Sequence, residues 1–467
     1  MSGWLQRSLT DIGAALRNGE VTALALLDEA RSAHAQHGLG LDAYRTWDDG
    51  QALARATAAD AAFKDGRDFG PLQGIPFSAK DLFGIEDMET FAGSPNALPE
   101  KWSKEGPFIR AVLKQGAVLT GKTHMVEFAF GGLGTNAHWP APKNPWDGKD
   151  RRVSGGSSSG AGVSIMEGSA AFALGTDTAG SVRVPASMTG TVGLKVTAGR
   201  WPLDGIVPLS PTLDTPGILT RSVADAALLF EAIDAHCSNR KSRPAVEAAD
   251  ISNVRMGLAP DHFWHDCPDD IAAFTRQALS VLENAEASMT PFELPETKAA
   301  YELFRQGSVV SSELKAFLKE ELPDWEKTLD PNISFRMSGA IDIKSDEVAD
   351  RRKRMAEITA SANTRLEEID VLVSPTVPIT APKVADVKDG KDYSAANLMA
   401  LKNTCIANLL GLCAITMPIG LDNTGIPVGL QLMARANEEE KLLSVALAFE
   451  DELGFGWQRL GPSPLGA

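Results

Sequence analysis

Cysteine is scarce in this 467-residue chain, which has only Cys237, Cys267, Cys405 and Cys413. No two form CxxC and none stands at a Cys/His ligand spacing. Neither a disulfide framework nor a zinc site is implied, and the four read as free thiols of a reducing, cytoplasmic compartment. Tyrosine is scarcer still, at Tyr44, Tyr301 and Tyr393. Basic charge is in deficit: 45 Lys and Arg against 61 Asp and Glu leave a formal net charge of −16. Such a chain, without basic runs interleaved with aromatics, is a poor partner for nucleic acid or an anionic membrane. No apolar stretch approaches the ~18 residues of a membrane helix, and MSGWLQRSLTDIGAALRNGE at the start has no apolar segment of signal-peptide length. The rest is ordinary globular composition, 43% hydrophobic and 23% charged, in a chain long enough to bury a large core.

Periodicity gives a coarse order of elements. Two amphipathic helices, broken at Asn18-Gly19, are expected near the start, with Ser8 or Thr10 as cap, and the Ala-rich 48–66 reads as a third. GIPFSAKDLFGI (74–85) is a short apolar run between breakers, as a buried strand leading to a loop would be. PFIRAVLKQGAVLTGKTHM predicts a helix stopped at Gly116 and then a strand. The block 131–220 is dominated by Gly, Ser, Thr and Pro and reads as loop-rich, the kind of segment on which sites are built. RSVADAALLFEAIDAHC (221–237) is a capped helix, 239–253 a polar connection, and 254–370 mostly helical with VRMGLA as a strand. DVLVSPTVP, AITMPIG and VGLQLMA read as buried strands. Apolar strands alternating with helices predict an α/β layer architecture, and the sparse linkers a single large domain.

Three polar stretches stand out: FSAKDLFG (77–84), GGSSSGAG (155–162) and GTDTAGSVR (175–183). Each alone has a plain explanation: a solvated Lys-Asp pair, a flexible loop, a turn capped by Asp177. GSSSG also satisfies the nucleophile-elbow pattern of α/β-hydrolase esterases, with Ser158 as nucleophile. That pattern needs a buried strand before it, and DGKDRRVSG is none. The downstream histidines His236, His262 and His265 lie in polar, connection-like sequence. A phosphate loop fails because Ala161 and Gly162 follow Gly160 where Lys and Ser/Thr are needed. The S-x-x-K of β-lactamases occurs only at 238–241, in a charged connection, and reads as chance.

Taken together, in this order and spacing, the three stretches resemble the amidase signature family. GKTHMVEFAFG (121–131), NPWD (144–147), VRVPASMTGTVGLKVTAGR (182–200), LDTPGILTRSVADAALL (213–229) and NLLGLCAITMPIGLDNTGIPVGLQLMA (408–434) extend the likeness over nearly the whole chain. It is most specific at 74–229 and weakest at 240–365. The resemblance implies a mixed central sheet with helices on both faces. It divides the chain into an N-terminal helical part (1–65), a catalytic core (74–230), a variable substrate-side segment (240–365) and a return to the sheet (366–467).

The resemblance also implies a Ser–cis-Ser–Lys triad of Ser181, Ser157 and Lys80, with the cis bond at Gly156–Ser157. A serine hydroxyl is a poor nucleophile until a neighbour takes its proton, and a lysine can do so only when neutral, which burial favours. The same resemblance puts an oxyanion hole at the N–H groups of Thr178, Ala179, Gly180 and Ser181. It implies a small-molecule amide substrate, no cofactor and a homodimer. Asp177 and Arg183 flank the loop, either holding it or forming an ordinary ion pair. Phe128, Phe130, Gly131 and Gly132 are candidates for the acyl side, although the two phenylalanines could equally be core. The sequence departs from the family at Ala179, where Gly is usual, and at His124, where Asn is usual; a packed structural role for His124 is expected over a ligand or catalytic one. Two alternatives stand beside the Ser158 esterase. The glutaminase component of a tRNA-dependent amidotransferase is disfavoured by NISFRMSGAIDIKSDEV, which lacks the Tyr-rich segment typical of that component. A non-catalytic binding protein of the same fold is disfavoured by the intact triad.

Overall fold

A computed structural model describes residues 3–237, 245–307, 309–338, 345–388 and 390–466. Eleven strands follow in chain order: β1 (Tyr44–Trp47), β2 (Pro76–Lys80), β3 (Val118–Thr123), β4 (Phe172–Asp177), β5 (Val192–Lys195), β6 (Thr215–Thr220), β7 (Arg255–Leu258), β8 (Ser288–Pro291), β9 (Val371–Pro375), β10 (Cys413–Leu421) and β11 (Pro427–Ala434). They form one mixed sheet in the order β1-β3-β2-β4-β6-β5-β10-β11-β9-β7-β8. β2 lies parallel to both β3 and β4, and β7 parallel to β8 and β9. The strands between run antiparallel. Every residue of β2 to β6, β9 and β11 is buried. Successive side chains point to opposite faces, so both faces of the sheet are covered, which explains continuous apolar runs in place of alternation. One hydrophobic cluster extends from Leu5 to Leu453. Among the described residues no helix is long and apolar enough to cross a membrane.

Helix Leu9–Asn18 starts at Ser8, whose hydroxyl accepts from Asp11 N–H at 3.0 Å, and ends at Gly19 with φ 72°. Ser8 is therefore the cap, and Thr10 lies inside the helix. The largest departure from expectation is in 131–220. It holds β4, β5, β6 and the helices Ser159–Met166 and Arg183–Thr189. Its small residues serve close packing rather than flexibility: a Cβ on Gly160 would stand 2.0 Å from the Ala43 carbonyl oxygen. β1 and β8 also escaped the periodicity, since both are short and lie at the two ends of the sheet. The S-x-x-K at 238–241, and the connection at 239–253 as far as 244, lie outside the described residues.

Candidate active site

The sheet sets up the site where parallel β2 and β4 end side by side, the usual place for a site in an α/β sheet. The apolar run of β2 carries Lys80, its last residue, into the interior, where the side chain is fully buried. Lys80 Nζ stands 2.7 Å from Ser157 Oγ and donates to Thr176 Oγ1, on β4, at 2.9 Å. Burial pushes its pKa down from 10.5 to about 7, against the opposite pull of the Asp214 and Asp177 carboxylates. A large fraction of Lys80 is thus neutral near pH 7 and able to accept a proton.

Ser157 follows a cis peptide bond from Gly156. Its carbonyl accepts from Val126 N–H at 3.1 Å, and the next amide, Ser158 N–H, donates to the Ser181 carbonyl at 3.2 Å. These bonds draw the 156–158 segment against the loop that carries Ser181. Ser158 itself is fully buried, its hydroxyl 3.4 Å from the Thr176 carbonyl. No strand leads directly into it, β3 having ended at Thr123, so the structural context of a nucleophile elbow is missing.

Ser181 is 4% exposed and lines a cleft of about 450 Å³. Its loop is clamped by Asp177, the last residue of β4. That carboxylate accepts from Gly180 N–H at 2.8 Å, Val182 N–H at 3.1 Å and Asn408 Nδ2 at 2.9 Å. It also accepts from Arg183 Nε at 3.0 Å and Nη2 at 2.9 Å. Arg183 reaches on to Gln431 Oε1 at 2.6 Å and Asn408 Oδ1 at 2.7 Å. Burial alone would raise the Asp177 pKa, but Arg183 holds it at about 2. The pair is at once a buried ion pair and the brace of the loop. This corrects one expectation: the Gly180 N–H points at Asp177, so that amide is not free to meet a substrate oxygen. Thr178, Ala179 and Ser181 contribute no N–H to these bonds, and all three line the cleft. Thr178 Oγ1 donates to Asp214 Oδ1 at 2.5 Å, and Thr404 Oγ1 to the Ala179 carbonyl at 2.7 Å. Asp214 also accepts from the amides of Leu209 and Ser210, at 2.9 and 3.0 Å, while burial pushes its pKa up to about 6.

The acyl-side candidates divide. Phe130 and Gly131 border the cleft. Phe128 is 1% exposed and packs edge-on against Phe317, ring centroids 6.4 Å apart, as a core residue. Gly132 stands behind the wall, its N–H 2.6 Å from Asn397 Oδ1 and its carbonyl 2.8 Å from Gly156 N–H. The 300–340 segment supplies Phe304, Arg305, Val310, Phe335 and Arg336. Helix Gly390–Ala400, which carried no signal in the sequence, adds Ser394, Asn397 and Leu398. His124 is buried away from the cleft. Burial, then the charge of Arg45, lowers its pKa to about 4, so it is a neutral packed imidazole. Sequence reasoning assigned no role to Thr176, Asp214, Asn408 or Gln431. A lone Gln inside the buried strand VGLQLMA was the available sign, since buried polar groups need partners. Among the described residues, no group of three or more His, Cys, Asp or Glu is placed to hold a metal ion.

The model of the family described as Amidase matches residues 24–443. A 2-amino-5-chloromuconic acid deaminase of Comamonas testosteroni is 46% identical over 458 residues, 98% of each chain. A glutamyl-tRNA(Gln) amidotransferase component of Myxococcus xanthus is 31% identical, over 96% of this chain and 97% of that one. The solved peptide amidase of Stenotrophomonas maltophilia covers 99% of both chains with a TM-score of 0.81 and 26% identity. Matched in this way over nearly its whole length, the chain belongs to the amidase family, hydrolases of the amide C–N bond.

Proposed function

We propose that the chain hydrolyses a small primary carboxamide to a carboxylate and ammonia through an acyl-enzyme on Ser181. The observation that carries this reading is the 2.7 Å contact of Lys80 Nζ with Ser157 Oγ, fully buried, with the lysine pKa lowered to about 7. Neutral Lys80 takes the Ser157 proton as Ser157 takes that of Ser181. The Ser181 oxygen adds to the carbonyl carbon, and the amides of Thr178, Ala179 and Ser181 receive the developing oxyanion. Each such donor is worth roughly 3–4 kcal/mol to the transition state. Returned through Ser157, the proton leaves with the departing nitrogen as the C–N bond breaks. Water then attacks the ester by the same relay, forming the carboxylate and restoring Ser181. Ammonia as leaving group is supported by the deaminase in the name of the 46%-identical relative. The reading also takes the protein as a cytoplasmic homodimer; its four cysteines are free, as a reducing compartment would keep them.

The test combines a screen for ammonia release from aliphatic, aryl and dipeptide amides and glutamine with labelling by a fluorophosphonate. Mass should be added to a peptide containing Ser181, and Ser181→Ala should lose nearly all turnover while Ser158→Ala keeps most of it. Labelling at Ser158 would restore the elbow reading. Turnover of glutamine only with partner subunits would move the chain to the amidotransferase class.

A further inference from the structure

We propose that the cleft selects amides whose acyl part carries a free carboxylate, and that Arg336 is the group that reads it; the proposal rests on the amidase reading above. The chain carries a net charge of −16. Yet among the described residues that line the cleft there is no Asp or Glu, and there are two arginines, Arg305 and Arg336. A cleft of opposite sign to its protein concentrates anions at its mouth. Arg336 belongs to helix Pro331–Ser338 and is half-buried. Its guanidinium carbon lies 3.9 Å from the centroid of the Phe130 ring, and Nη1 donates to the Phe130 carbonyl. The fork is therefore held in place by the segment that borders the cleft beside Ser181.

No acid among the described residues pairs with it. Among the described residues the titratable group acting on Arg336 is the Tyr393 hydroxyl, and burial pulls its pKa down. Arg183 and Arg200 are taken out of water with acids beside them, Asp177 for the first and Asp234, Glu439 and Glu440 for the second, whereas Arg459, outside the cleft, spends its donors on the carbonyls of Leu453 and Ile419. A guanidinium half out of water, most of whose five N–H donors meet no described residue, is undercompensated by them. A carboxylate matches that planar fork with two parallel hydrogen bonds. A 450 Å³ cleft suits a molecule of a few carbons that spans Ser181 and the fork.

The experiment compares kcat/KM for succinamate, glutaramate and adipamate with butyramide, valeramide and hexanamide, their neutral partners of equal carbon count. At least one acid should exceed its partner on the order of a hundredfold, and Arg336→Gln should collapse that ratio, whatever the absolute rates. Arg336→Lys should recover part of it. If Arg336 only anchors the Phe130 segment, both members of a pair fall together and the ratio stays, which overturns the proposal. So does a native enzyme indifferent to the carboxylate, although the amidase reading then stands. Should no amide be hydrolysed, the amidase reading fails and calorimetry decides this one. Ser181→Ala should bind succinate, glutarate or adipate, and Arg336→Gln on that background should weaken binding by tenfold or more. Absent or unchanged binding would overturn the proposal. Thermal unfolding of each variant checks its fold, and Arg336→Lys carries the comparison if Arg336→Gln does not fold.

Discussion

Replacing Lys80 with Met should abolish turnover and, more tellingly, change how stability depends on pH. The fall of the lysine pKa from 10.5 to about 7, at about 1.4 kcal/mol per unit, makes the charged form roughly 5 kcal/mol costlier in the fold than in the unfolded chain. An unfolded lysine holds its proton up to about 10.5 and the native one only up to about 7. Between these values the unfolded state binds more protons, so native stability rises with pH. The penalty is complete below pH 7, shrinks across the window and is gone above 10.5. Lys80→Met has no such penalty, but it leaves Ser157 Oγ and Thr176 Oγ1 without their buried partner, at about 1–3 kcal/mol each. That loss is constant with pH, so the difference between the two proteins isolates the lysine. From pH 7 to 10 the native protein should gain on the variant by about 1.4 kcal/mol per unit. Lys195, whose pKa burial lowers to about 8, titrates in both and cancels. Asp214 titrates near pH 6, below the window. Urea unfolding followed by the fluorescence of the nine tryptophans measures the difference. A difference constant with pH would refute a depressed Lys80 and remove the base.

If neutral Lys80 is the competent form, kcat/KM should rise about tenfold from pH 6 to 8 and then level off. Asp214→Asn removes a carboxylate that holds the lysine pKa up, so the midpoint should move to lower pH; a move upward would count against the assignment. Asp177→Asn strands Arg183 in the interior, where losing one member of a buried pair costs about 3–5 kcal/mol. Thermal denaturation should show that loss, and kcat should fall as the loop loosens. Ala179→Gly should be tolerated, whereas Ala179→Val displaces neighbouring amides, and a shift of about 1 Å costs on the order of a hundredfold in kcat. A folded Val variant with native kcat would show that this loop does not receive the oxyanion.

The termini of elements with ordinary chemistry were legible: Ser8 and Gly19 around the first helix, and the apolar run that ends on Lys80. β4 to β6 were not, because PFSAK and VGLQLMA announce burial by bulk whereas FALGTD and TPGILT are buried partly by glycines and hydroxyls that fit close neighbours. The three stretches that the site brings together were visible as motifs, since their order and spacing are unusual. The direction of a single N–H was not. GTDTAGS gives no sign that Gly180 turns its amide towards Asp177, because that depends on backbone angles which glycine alone leaves open. Asn408 and Gln431 were missed for a related reason: their partner lies more than 220 residues earlier, and no local pattern encodes such a distance.

That distance also bears on the birth of the protein. A ribosome delivers Lys80, Ser157 and Ser181 well before Gln431, which lies 248 residues beyond Arg183. At about 5–20 residues per second, the nascent chain waits on the order of 10–50 s with the guanidinium still lacking its far-side partners. The brace of the Ser181 loop is complete only when β11 has been made and folded against it, so the proposed chemistry waits on a residue synthesised long after the motifs that encode it.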